Sequence, residues 1–308
     1  MGGQSGYSDP MPSVTPLNHT VSLLLEGSIS VATKRAYQRA WQHFLQYLKD
    51  KSITFQFPVP VPCLADFVGH LFESEYAPGT IMSMLSALSF VHKLVEKVDP
   101  TESFLIKKLL MGSRKLRQQK DVRLPITTGI LSKIINASRD IFQEKFNQKR
   151  FIAMCSLAFH ALLRVGEMTS SHNNLTIDCI QVELGSLTLQ FLKYKHSEGL
   201  PSTHQIKASP LTIHCPVRCM QDYLFLRGFR PGALFLTKDG SAVSRKLFVE
   251  ELNAAFSLAG IQNQRYTTHS FRIGGASYMA THGYSDAQIR QAGRWASNAF
   301  LSYIRINP

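Results

Sequence analysis

From Ser30 onward, Tyr37, Trp41, Phe44, Leu45 and Leu48 repeat at helical spacing. The large apolar side chains therefore share one face of a helix, with Ser30 as its N-cap and Lys34, Arg35 and Arg39 on the other side. A helix with an apolar stripe has to bury it against another element. Three more segments of this kind follow. One carries Leu64, Phe67, Val68, Leu71 and Phe72. The next opens at Ala77-Pro78-Gly79-Thr80 and turns Ile81, Leu85, Leu88 and Val95 inward. The last runs from about Glu102 to Leu116. The proline-rich stretch Phe57-Pro58-Val59-Pro60-Val61-Pro62 reads as a rigid extended connector. Four helices on short connections predict a small bundle over residues 21–118, preceded by a Gly/Ser/Pro-rich tail, 1–20, expected to be disordered.

Arg123-Leu124-Pro125 marks a change of organisation. Residues 119–126 read as a linker and 127–308 as a second domain, since 308 residues can bury one large core or two smaller ones. Helices are expected near 128–145, 148–163, 216–227 and 243–258, with more towards the C-terminus. Ser186 to Lys195 alternates like a strand, and Gln205 to His214 reads as its return strand. The fold class is mainly α with a small antiparallel β-sheet.

The 34 Lys and Arg against 21 Asp and Glu give a net charge of +13, which favours a polyanionic partner, nucleic acid before membrane. The richest stretch holds Lys107, Lys108, Arg114, Lys115, Arg117, Lys120 and Arg123 against one acid, Asp121. It reads either as a solvated linker or, at a domain boundary, as a strap along a DNA backbone. No apolar run approaches a membrane span, and the N-terminus is not a signal peptide. The five cysteines, Cys63, Cys155, Cys179, Cys215 and Cys219, are an odd, scattered set expected to stay reduced inside a cell. His214-Cys215-x-x-x-Cys219 lacks the second half of a zinc site, so no metal and no cofactor is expected.

Chemistry concentrates near the C-terminus. His269 and Arg272 are three residues apart and share one helix face. Gly293-Arg294-Trp295 and then Tyr303 follow. An anion clamp, a proton-handling imidazole and a phenol oxygen suit attack on a phosphodiester. Upstream, Arg164 ends an apolar stretch that begins near Phe151, and Glu167 lies one turn later. The pair is either a structural ion pair or an arginine held by Glu167 and aimed at a phosphate. Lys193 and Lys195, at the tip of the expected hairpin, are edge residues or, in a cleft, a proton donor.

The ordered set Arg164-x-x-Glu167, a hairpin lysine, His269-x-x-Arg272, Gly293-Arg294-Trp295 and Tyr303 resembles the tyrosine recombinases of the phage-integrase family. The phrases Ala32-Thr33-Lys34-Arg35-Ala36-Tyr37, Thr80 to Leu88, Arg123-Leu124-Pro125-Ile126-Thr127 and Thr268-His269-Ser270-Phe271-Arg272 look similar to recombinases of eukaryotic DIRS-type mobile elements. The resemblance covers roughly residues 28 to 306, most specifically the last third. It implies a two-domain C-clamp on double-stranded DNA, made of a helical, SAM-like core-binding domain and a mixed α+β catalytic domain. It also implies a tetramer on synapsed sites, a monomer or weak oligomer without DNA, and a nuclear location if the source is eukaryotic, otherwise a cytoplasmic one.

In the resembling chemistry Tyr303 attacks a DNA phosphorus and leaves a 3′-phosphotyrosine, while Arg164 and Arg272 clamp the non-bridging oxygens. His269 orients the phosphate or takes the phenolic proton, and Lys195, or else Lys193, protonates the leaving 5′ oxygen. The family sets a His or Trp about nine residues before the tyrosine. Here Arg294 is nine before and Trp295 eight before. The role goes to Trp295, with Arg294 as the rival. Only five residues follow Tyr303, so the helix that many relatives exchange between subunits is not expected here. Two related activities compete: relaxation of DNA by a type IB topoisomerase, and DNA binding by an inactive recombinase scaffold. An unrelated basic helical protein is the remaining alternative.

Overall fold

The computed structural model describes residues 18–118, 121–170, 174–192, 200–209 and 212–305. Contacts divide the chain into two units, Met1–Asp121 and Val122–Pro308. The first contains helices α1 (His19–Ser28), α2 (Val31–Asp50), α3 (Val61–Glu73), α4 (Pro78–Leu94) and α5 (Phe104–Leu116). Ser30 caps α2 as expected, its hydroxyl accepting from the Thr33 backbone N–H at 3.1 Å. The stripe Trp41, Phe44 and Leu48 is buried together with Leu64, Phe67, Leu71, Ile81, Leu85 and Leu88. Each such side chain contributes roughly 1.5–3 kcal/mol by leaving water. The Phe67 ring sits 5.1 Å from that of Phe44 and 5.0 Å from that of Tyr47.

Two details differ from the sequence reading. Helix α1, not expected, begins at the end of the expected tail and runs into the expected bundle. Asn18 caps it through the Val21 N–H at 2.9 Å, yet none of its residues is buried, so local capping and not a stripe defines it. Val91, not Val95, closes the inward face of α4, because the helix ends at Leu94 and Val95 is its C-cap. The remainder of the expected tail, residues 1–17, lies outside the described residues.

The basic stretch begins as helix. Lys107, Lys108, Arg114 and Lys115 project from α5, whose Ile106 and Ser113 are buried. Arg117 lays its guanidinium 4.2 Å from the Phe72 ring centroid and donates to the Tyr76 carbonyl at 3.3 Å. Lys120 lies outside the described residues.

The second unit contains α6 (Thr128–Ile141), α7 (Lys145–His160), the single turn α8 (Val165–Met168), strands β1 (Ile180–Glu183), β2 (Ser186–Phe191) and β3 (Ser202–Lys207), α9 (Pro216–Arg227), α10 (Arg245–Leu258), α11 (His269–Thr281) and α12 (Asp286–Gly293). Residues 122–126, part of the expected linker, pair with the segment leading into α11 and with its first turn: Leu124 N–H donates to the Arg265 carbonyl at 2.9 Å and Ile126 N–H to the Ser270 carbonyl at 3.0 Å.

The three strands form an antiparallel sheet in the order β1-β2-β3. Leu187, Leu189 and Phe191 of β2 alternate into the core. The return strand is displaced from the expected 205–214. It pairs Ser202 with Phe191 and Lys207 with Ser186. The segment after it, Cys215 onward, is taken into α9, where Pro216 starts a helix. Strand β1 was not expected: Ile180-Gln181-Val182-Glu183 alternates in residue type and in burial, but four residues are a short signal. Around α7, the side chains of Phe151, Met154, Leu157 and Phe159 pack with Phe248, Phe256 and Phe271 into the main core.

Candidate active site

Helix α7 stops at His160, and Leu162 adopts φ 50°, so the chain turns sharply before Arg164 starts α8. The sequence expectation of an Arg–Glu pair is met. The Arg164 backbone N–H donates to Glu167 Oε2 at 2.7 Å, and its Nη1 lies 3.3 Å from Oε1. Glu167 is buried, while Arg164 keeps 29% of its side chain exposed.

His269 opens α11 and Arg272 follows one turn later on the same face. Two consecutive glycines seat this helix. A Cβ on Gly274 would stand 1.9 Å from the Ile126 carbonyl oxygen, and one on Gly275 would stand 2.2 Å from that of Phe159. Without side chains there, α11 lies directly on the backbone at Ile126 and on the end of α7. Arg272 is then wholly buried and donates through Nη1 to the Leu162 carbonyl and through Nη2 to the Gly293 carbonyl. Its Nε–H is buried without an acceptor.

Helix α12 delivers the next two residues. Arg294 takes the left-handed conformation at its C-cap (φ 54°), and the Trp295 N–H returns to the Arg290 carbonyl at 3.0 Å. The indole then folds back over Gly293, where a Cβ would meet it at 1.7 Å. The ring lies 4.0 Å from the guanidinium carbon of Arg272. A 3₁₀ turn, Asn298–Tyr303, brings the phenol in. It is pinned by Phe300, buried against Leu162, Ala276, Ile289 and Ala292. The Tyr303 ring centroid is 4.9 Å from that of His269, 5.0 Å from that of Trp295 and 5.6 Å from the Arg272 guanidinium carbon.

The structure thus brings Arg164, Glu167, His269, Arg272, Trp295 and Tyr303 into one cluster of the second unit. Lys193 and Lys195 lie outside the described residues, beyond the end of β2. Between the two rivals for the position before the tyrosine, Trp295 touches Arg272 and Tyr303, whereas Arg294 turns to Glu167, with Nη2 2.8 Å from Oε2.

Charge is concentrated here. Burial first, and then repulsion from Arg164 and Arg294, bring the Arg272 pKa down to about 9, against the opposing pull of Glu167 and Tyr303. An anion beside Arg272 would offset the repulsion and favour the charged guanidinium. Arg272 is fully buried, and Trp295 covers its guanidinium. Among the described residues, no group of three or more His, Cys, Asp or Glu side chains has the arrangement to hold a metal ion.

Sequence reasoning missed Gly274, Gly275 and Gly293, although a Gly-Gly pair in the helix straight after Arg272 signals close backbone approach. It also missed the carbonyls of Leu162 and Gly293, for which no residue-type signal exists. Of the expected DNA-contacting side chains, Lys34, Arg35 and Arg39 are exposed on α2, and Lys107, Lys108, Arg114 and Lys115 on α5. Arg123 is half-buried at the start of the second unit.

A helical domain with a three-stranded sheet, closed by arginines, an imidazole and a terminal phenol, defines a protein of the tyrosine-recombinase fold. The phage integrase family profile matches residues 127–305, and the chain belongs to that family. Solved structures with the same fold include XerH site-specific recombinase bound to a palindromic difH substrate in a post-cleavage complex (TM-score 0.64, 14% identity, covering 87% of this chain and 75% of that one). The Tn1549 transposon integrase in complex with circular intermediate DNA is similar as well (TM-score 0.64, 15% identity, covering 94% of each chain). So is a lambda integrase dimer bound to a COC′ core site (TM-score 0.62, 14% identity, covering 94% of this chain and 75% of that one). No curated protein sequence matches the chain significantly.

Proposed function

We propose that this chain cleaves and rejoins double-stranded DNA at specific sites through a 3′-phosphotyrosine on Tyr303. The observation that carries the reading is the placing of the Tyr303 ring against both His269 and Trp295, 5.6 Å from the buried guanidinium of Arg272. The Tyr303 Oη–P bond forms as the P–O5′ bond breaks. His269 takes the phenolic proton, and Lys195, or Lys193, gives a proton to O5′. Arg164 and Arg272 hold the non-bridging oxygens as charge builds on the phosphorane, and Trp295 closes over them. The displaced 5′-hydroxyl of another strand reverses the step, so the bond is conserved without a nucleotide cofactor.

Neighbours of this fold are a site-specific recombinase on its difH substrate, a transposon integrase on circular intermediate DNA and lambda integrase on a core site, which supports recombination of DNA as the activity. We further propose service to a mobile element of the DIRS type, on the strength of the resembling phrases, and assembly as a tetramer on paired sites. The exposed lysines and arginines of α2 and α5 would contact the backbone.

A suicide substrate, nicked so that the leaving strand diffuses away, tests the chemistry. The unaltered chain should form a covalent protein–DNA adduct on a denaturing gel, and Tyr303→Phe should bind the same DNA without forming one. Adducts with the phenylalanine variant would refute the assignment. Relaxation of supercoiled plasmid lacking any recombination site would point to the topoisomerase alternative, and absence of any adduct to an inactive scaffold.

A further inference from the structure

Resting on the reading of Arg164 as a phosphate clamp, we infer that Arg294 is a positioning residue that fixes the Arg164 guanidinium through a shared carboxylate, Glu167. Arg294 occupies the left-handed position that ends α12, where glycine is preferred and another residue costs roughly 1–2 kcal/mol. Its side chain accounts for its presence there. The guanidinium is buried, donates to Glu167 Oε2 at 2.8 Å and to the Ala292 carbonyl at 3.1 Å, and lies 3.8 Å from the Phe191 ring centroid at the end of β2.

Glu167 is the hinge of the argument. Its Oε2 takes both Arg294 and the Arg164 backbone N–H, which leaves Oε1 facing the Arg164 Nη1 at a loose 3.3 Å. Arg294 therefore supplies most of the charge that a buried carboxylate requires. Arg164 stays only lightly held and, of the three guanidiniums, is the one that remains partly exposed. Remove Arg294, and Glu167 has Arg164 as its remaining cationic partner among these contacts. The clamp is then drawn onto the carboxylate and away from a phosphate. The arginine at the position nine before the tyrosine thus acts behind the clamp, and the indole beside it takes the contact with the reacting groups.

The test compares Arg294→Met, which keeps volume and removes charge, with the unaltered chain on nicked DNA carrying either a normal scissile phosphate or a methylphosphonate. A methylphosphonate has no negative charge for a guanidinium to neutralise. Arg294→Met should slow single-turnover cleavage of normal DNA by ~10–100-fold, as a misplacement of about 1 Å does, with DNA affinity unchanged. On the methylphosphonate it should cleave near the unaltered rate. Glu167→Gln should behave alike, and the double variant should be no slower than the worse single one, because the two act in one chain of contacts. Unimpaired cleavage by Arg294→Met, an equal deficit on both substrates, or additive losses would overturn the inference. If Arg294→Met fails to melt cooperatively, Arg294→Gln, which removes the charge but keeps hydrogen-bonding capacity, carries the same comparison. Failure of the unaltered chain to form any adduct would instead remove the recombinase reading itself, and this inference with it.

Discussion

The indole of Trp295 covers the guanidinium of Arg272 at 4.0 Å, and the two are held together from below by Gly293, whose carbonyl takes Arg272 Nη2 and whose missing side chain makes room for the ring. A stacked, desolvated cation–π pair contributes on the order of 2 kcal/mol. It also shields the guanidinium from water, so in the proposed reaction the ring acts as a lid that a phosphate has to displace.

The first prediction concerns that lid. Trp295→Ala should reduce single-turnover adduct formation by about 10-fold or more, and Trp295→Phe, which keeps a ring, by much less. Equal rates for the alanine variant and the unaltered chain would reduce Trp295 to a packing residue.

The second concerns whose tyrosine acts. Phe300 fixes the Tyr303 turn against Leu162, Ala276, Ile289 and Ala292 of its own chain, so the phenol should serve the arginines of that chain. Mixing Tyr303→Phe with Arg272→Ala should then give no adducts. Recovery of adducts in the mixture would mean the tyrosine is donated between subunits.

The third separates two glycines inside helices. A Cβ on Gly275 meets the Phe159 carbonyl oxygen and the Leu162 side chain, whereas around Gly69 of α3 there is nothing within 4 Å. Gly275→Ala should lower unfolding free energy by roughly 1–3 kcal/mol or more through overpacking. Gly69→Ala should raise it by about 0.5–1 kcal/mol through helix propensity. Denaturant melts of the two variants check both signs.

The fourth follows from three imidazoles of the second unit. Burial brings His160 down to about 3, helped by His214 at 3.2 Å, and His204 down to about 4, helped by the Arg294 charge. Burial also lowers His214. In the unfolded chain these groups take up protons near pH 6.5; in the folded one His160 and His204 wait until about pH 3 and 4, and His214 titrates below its ordinary value. Stability is therefore full above about pH 6.5 and falls as pH drops towards 4, by up to ~1.4 kcal/mol per pH unit for each histidine. Urea midpoints measured between pH 7 and 4.5 should decline, and His204→Gln should lessen the slope. A flat profile would show that these rings are solvated.

Much of this was legible in the sequence because it depends on neighbours along the chain. The cap at Ser30, the Trp41–Phe44–Leu48 stripe and the one-turn spacings His269–Arg272 and Arg164–Glu167 follow from helical period alone. Strand β2 showed its alternation, but its partner was misjudged by a few residues, since register depends on which side chains meet across the sheet and not on either strand by itself.

Three fully buried arginines show where tertiary structure takes over. Arg150 is paired with Glu251, Arg227 is spent on the carbonyls of Gly228, Ala233 and Leu234, and Arg272 lies under Trp295 near Tyr303. The sequence by itself determined the residue types, their order and the helices that carry them. Only the packing of α11 on Ile126 and on the end of α7, possible because Gly274 and Gly275 lack side chains, decided that Arg272 joins the phenol and that Arg294 turns away to Glu167. A guanidinium's role is set by which carbonyl, carboxylate or ring surrounds it, and those neighbours come from segments more than a hundred residues apart.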